Sequence, residues 1–132
     1  MRITSIGEDA ADHWHWLRPY MVRALDKGSH GWPVAHQLES VLAGNGFFLV
    51  ASEAEDVLGV CKVDITPKGL HVHALAGKDL KKWIKPMDKK IQDIAKRLGK
   101  TSITSQSRPA IARMLKADGC KVQFYNMVRA VQ

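Results

Sequence analysis

The stretch Asp79-Leu80-Lys81-Lys82-Trp83-Ile84-Lys85-Pro86-Met87-Asp88-Lys89-Lys90-Ile91-Gln92-Asp93-Ile94-Ala95-Lys96-Arg97-Leu98 decides how the rest of the chain reads. Leu80, Trp83, Ile84, Met87, Ile91, Ile94, Ala95 and Leu98 recur in steps of three and four, which puts them on one side of a helix. Pro86 lies inside this run and predicts a kink or a fresh turn there. Gly99 is suited to end the helix.

Upstream the period is that of strands. Phe47 to Ser52, Val57 to Ile65 and Leu70 to Leu75 are short apolar runs. The polar turns Glu53–Asp56 and Thr66–Gly69 separate them, which predicts an antiparallel meander. Still earlier, Arg2 to Ile6 reads as a short strand and Ala10 to Leu25 as a helix. Asp9 or Asp12 is placed to cap that helix, and Pro19 to interrupt it. The Gly/Pro-bearing segment 27–33 is a loop, and Val34 to Ala43 is a second helix stopped by Gly44-Asn45-Gly46. Downstream, Thr101 to Ser105 reads as a strand, Arg108 to Ala117 as a short helix, and Lys121 to Val131 as the final strand. The resulting order is β-α-α-β-β-β-α-β-α-β, an α/β (α+β) fold with a mixed, mainly antiparallel sheet flanked by helices. A chain of 132 residues fits one domain, spanning 1–132, with no repeat or low-complexity tract.

The formal charge is +7, and it is concentrated. Lys78 to Lys100 carries nine basic residues against Asp79, Asp88 and Asp93. Such a face attracts nucleic acid, acidic protein or a phosphate-bearing cofactor, or else serves as a solvated helix surface. No apolar run is long enough to span a bilayer, and the N-terminus lacks a signal-peptide stretch, so a cytoplasmic location is expected. Cys61 and Cys120 lack zinc-site spacing and read as two reduced, buried thiols.

Two stretches resemble the GNAT acyltransferase superfamily, whose element order is the one above. Ile94-Ala95-Lys96-Arg97-Leu98-Gly99 is similar to the A-x-x-x-G that closes the central helix of such proteins. Arg108-Pro109-Ala110-Ile111-Ala112-Arg113-Met114-Leu115-Lys116-Ala117-Asp118-Gly119-Cys120 is similar to the N-P-A-x-x-L-Y-x-x-x-G-F of the last helix. The resemblance implies an acyl-CoA site in the loop before the central helix, with acetyl-CoA as the donor. There the superfamily's Q/R-x-x-G-x-G/A is replaced by Leu75-Ala76-Gly77-Lys78-Asp79-Leu80, and only Gly77 matches. Lys78, Lys81 and Lys82, with Arg108 at the motif's Asn position, remain as cofactor-binding candidates. Asp79 repels a pyrophosphate but suits a helix cap. Leu115 stands where the superfamily often has its acid Tyr, and leucine donates no proton.

His71 and His73 alternate with Leu70, Val72 and Ala74, so both project from one face of the fourth strand. In the resembling fold this strand lines the acceptor cleft, where a neutral histidine can act as general base. The same two residues are equally suited to packing or to facing solvent, and for a metal no third ligand is evident. Trp83 belongs to the core stripe, whereas Trp14 and Trp16 flank His15, and Trp32 lies in the loop. The Leu-Ala-Gly-Lys-x-Leu turn and the short length also resemble small GNAT-like proteins of tailed phages and prophages. That resemblance implies a virion-associated or host-directed protein partner.

Overall fold

The structure is a computed structural model that describes residues 1–28, 34–106, 121–123 and 126–130. Its elements are β1 (Arg2–Ile6), α1 (Ala10–Gly28), α2 (Val34–Leu42), β2 (Gly46–Glu53), β3 (Asp56–Ile65), β4 (Gly69–Gly77), α3 (Leu80–Arg97), β5 (Ser102–Gln106), β6 (Lys121–Gln123) and β7 (Asn126–Ala130). The strands form one sheet in the order β1-β2-β3-β4-β5-β7-β6. All neighbours are antiparallel except β4 and β5, which α3 joins as a parallel pair.

Among the described residues the expected order is observed, with one refinement at the end. The segment read as a single final strand is two strands paired in a hairpin, Gln123 opposite Asn126. The helix expected over Arg108 to Ala117 lies outside the described residues, as do Arg108, Leu115, Cys120 and Trp32.

Strands β2 and β3 are covered on both faces, which is why they read as near-continuous apolar runs rather than alternating ones. Phe47, Leu49 and Ala51 pack with Cys61, Val63 and the α3 stripe. Phe48, Val50 and Val60 pack on the opposite face with Leu17 and Met21 of α1 and Val41 of α2. One sheet therefore divides two cores, and the 3.6-residue stripe of α3 fills one of them.

Both helix stops read from the sequence have a physical cause. After α2, Gly44 takes φ 82° while Gly44 N–H and Asn45 N–H donate to Val41 and Ser40 carbonyls (3.0 and 2.9 Å). After α3, Gly99 takes φ 69° while Gly99 N–H and Lys100 N–H donate to Lys96 and Ala95 carbonyls (3.1 and 2.9 Å). Both are Schellman closures, in which a left-handed glycine lets the chain fold back on the last free carbonyls. The prolines do not break their helices: α1 continues through Pro19 and α3 through Pro86. Each ring removes one backbone hydrogen bond, and burial of neighbours such as Leu17, Trp83 and Met87 offsets that loss.

Candidate functional site

β3 and β4 bring a chain of polar side chains onto the face covered by α1 and α2. Lys62 sits in the middle of β3, 1% exposed. A buried ammonium requires partners. Lys62 Nζ forms an ion pair with Asp64 and donates to Ser40 Oγ of α2 at 3.0 Å. The other Asp64 oxygen lies 3.5 Å from His73 Nδ1. The His73 ring meets that of His71 edge-on at 6.1 Å between centroids. His71 Nδ1 is hydrogen-bonded to Thr104 Oγ1 of β5 at 2.7 Å. The cluster thus runs from α2 through β3 and β4 to β5.

A bulge sets the histidine geometry. Lys62 pairs with Ala74 and Val63 with Val72, so His73 is the extra residue in β4. The side-chain alternation flips there. Leu70 and Val72 face α3 before the bulge and Leu75 after it, while Ala74 joins the α1/α2 core. The sequence expectation that His71 and His73 share a face is met. Ala74, expected on the opposite face by strict alternation, is on the histidine side because of the bulge.

Burial lowers the pKa of both histidines below the ordinary 6.5. Asp64 raises both values and Lys62 lowers them, with a further lowering of His73 by His71. In the unfolded chain both imidazoles regain ordinary affinity for protons. Below pH 6.5 the unfolded state therefore binds more protons than the folded state, and stability falls as pH falls. Urea midpoints measured across pH 5 to 7.5 are expected to drop on the acid side, and to drop less in His71→Gln/His73→Gln. An equal acid loss in that variant would contradict the assignment. Cys61, also buried, has its thiol pushed up to about 12 by burial first and Asp64 second. It is a free, inert thiol, as expected for the buried cysteines.

Asp64 also opens onto a pocket of about 410 Å3 lined by His36, Glu39, Ser40, Ala43, Asn45 and Ile65. No group of three or more metal-ligating side chains is gathered among the described residues.

The second candidate region is the β4–α3 junction. The parallel pairing of β4 with β5 runs from Gly69/Ser102 to Val72/Ser105, whereas β4 continues to Gly77. Gly77 is needed for close approach, since a Cβ there would overlap the Leu58 carbonyl and the Gly59 Cα. Lys78 N–H donates to Leu58 O at 2.8 Å, and Trp83 Nε1 donates to Lys78 O at 2.8 Å, which pins the turn. Asp79 holds the N-cap position of α3 in the left-handed region (φ 53°, ψ 46°), but its side chain makes no capping hydrogen bond. The capping role read from the sequence is therefore not realised. A left-handed residue followed by helical ones aims successive N–H groups outward, an arrangement suited to anions. Gly77, Lys78, Lys81 and Lys82 are exposed around it, and so is the Asp79 carboxylate.

The structure thus places His71 and His73 together, and Gly77, Lys78, Lys81 and Lys82 at a separate point beyond the end of β4–β5 pairing. The sequence reading missed Lys62, Asp64, Ser40 and Thr104. The available signal was a Lys and an Asp two residues apart in an otherwise apolar strand, which implies a charge buried with its partner.

No protein-family model matches the chain, and no curated protein sequence matches it. Solved structures do. The structure superposes on Tetrahymena GCN5 with a TM-score of 0.74 at 12% identity, covering 100% of this chain and 97% of that one. On aminoglycoside 6'-acetyltransferase type Ii the TM-score is 0.75 at 12% identity, covering 100% and 98%. On the IAA acetyltransferase from Bacillus cereus it is 0.64 at 16% identity, covering 98% of each chain. Strand order, the parallel β4–β5 pair and these full-length superpositions together give this chain the fold of the GNAT acetyltransferases.

Proposed function

We propose that this is a GNAT-fold protein of the tailed-phage type with a degenerate acyl-CoA site, which acts by binding a virion or host protein without catalysing acyl transfer. The observation that carries this reading is Asp79. A helix N-terminus holds a pyrophosphate through its free N–H groups and positive potential. Here an exposed carboxylate stands at that terminus, unbonded to the helix, and cancels part of that potential. The backbone suits an anion, but the side chains present do not fit the cofactor. Gly77, the one residue shared with the superfamily loop, spends its missing side chain on packing against Leu58 and Gly59. The Leu75-to-Leu80 turn supports the phage-type assignment by resemblance, with a location in the bacterial host cell or the virion. Among the described residues no helix is long and apolar enough to cross a membrane.

A second reading, an acetyl-CoA-dependent N-acyltransferase with an atypical loop, is favoured by the histidine pair. Burial keeps His71 and His73 neutral at pH 7, and a neutral imidazole is able to take a proton from an amine. Gly77, Lys78, Lys81 and Lys82, with Arg108, would then hold the donor. Thiol release from acetyl-CoA, measured against a panel of primary amines, separates the two. The wild-type protein is expected to release none above buffer background. Turnover that is lost in both His71→Ala and His73→Ala would overturn the non-catalytic reading.

A further inference from the structure

The outer face of α3 is strongly charged. Every exposed residue of the helix is ionic; six are cations and the seventh is Asp93. The apolar stripe is spent on the sheet, with Trp83, Met87, Ile91 and Ala95 buried. Lys82, Lys89 and Lys96 are seven residues apart, so they fall on nearly one line, spaced about 10.5 Å along the axis. Lys85 and Arg97 flank that line. Asp93 lies 3.7 Å from Lys89 in an exposed ion pair and offsets one of the six positive charges, so the exposed residues of the helix keep a net charge of +5.

We infer that this face binds duplex nucleic acid through its phosphates, without reading sequence. The inference stands on α3 alone and does not depend on the state of the acyl-CoA site. Three classes of polyanion could meet such a face, and its composition chooses among them. A protein partner is anchored by aromatic or aliphatic residues at the centre of the patch, and none is exposed on α3. Leu98, 48% exposed, lies beyond its last turn. A single strand is held by aromatic side chains stacked on bases, and this face has none. Phosphates of a duplex require only cations in register with the backbone.

The test is fluorescence anisotropy of a labelled 20-base-pair DNA duplex of mixed sequence, titrated with the full chain at several salt concentrations. Four phosphate contacts give a log–log salt slope of about −3.6, or roughly 150-fold weaker binding between 50 and 200 mM salt. Lys82→Gln/Lys89→Gln/Lys96→Gln is expected to reduce that slope by about 3. A control set, Arg2→Gln/Arg18→Gln/Lys68→Gln, removes the same charge from exposed positions off this helix. It is expected to retain most of the slope and affinity. The substituted residues are solvent-facing, and circular dichroism checks that both sets remain folded. No duplex binding at 50 mM salt would overturn the inference. So would an equal loss in the control set, since net charge rather than the α3 face would then explain binding. Tighter binding to a single strand of the same length, or to polyglutamate, would also overturn it.

Discussion

Trp83→Ala is expected to destabilise the protein by about 3–5 kcal/mol, which is the usual range for removing a fully buried Trp. The ring is 0% exposed and lies between α3 and the sheet. It packs directly on the backbone of Gly59, where any side chain would collide with it. Its indole N–H is also used, because Trp83 Nε1 donates to Lys78 O at 2.8 Å and so ties the β4–α3 turn to the helix. With whole-domain stability of about 5–15 kcal/mol, the loss is a large share of the total. Trp83→Phe keeps most of the packing and removes the donor, so it is expected to cost roughly 1–3 kcal/mol through the unpaired carbonyl and the small void. Gly59→Ala should also destabilise by itself, and much less in the Trp83→Ala background, because the two share one contact. Urea unfolding of the four variants is the check. Additive losses in the double variant would mean that the Gly59–Trp83 contact is not the cause.

Asp64→Ala is expected to cost more than Lys62→Met, although both break the same ion pair. The reason is unequal access to water: the Lys62 side chain is 2% exposed and the Asp64 side chain 28%. Removing Asp64 strands an ammonium whose one remaining described bond is to Ser40 Oγ, and breaking a buried pair in this way costs about 3–5 kcal/mol. Removing Lys62 leaves a carboxylate that water can reach and His73 can face, and a Met side chain fills the vacated volume. That loss is expected to be about 1 kcal/mol or less. Lys62→Met in the Asp64→Ala background should therefore recover stability. Equal losses in the two single variants, or no recovery in the double, would contradict the buried-charge account.

The elements that carried a clean period were legible. The α3 stripe, the three-strand meander and the glycine stops at 44 and 99 follow from apolar spacing and from the left-handed preference of glycine. Two features were not legible for physical reasons. The bulge at His73 adds one residue without changing composition, so alternation alone misplaces Ala74. The hairpin between β6 and β7 hides inside one run of strand-forming residues. At the candidate site the histidine pair was visible from spacing within one strand. Its partners Lys62, Asp64, Ser40 and Thr104 come from three other elements, and only the sheet register and α2 packing bring them together. The Asp79 cap failed as an expectation because the backbone is left-handed at that residue, not in the extended conformation usual for a capping side chain, and no side-chain capping bond forms.

The proposal that the acyl-CoA site is degenerate is tested most directly by calorimetric titration of the full chain with acetyl-CoA at moderate salt, with ATP as a polyanion of similar phosphate character. The expected result is no binding, or weak and equal binding of both ligands through the lysines around Asp79. Tight binding selective for acetyl-CoA would contradict the account and establish the donor site that the GNAT fold ordinarily carries.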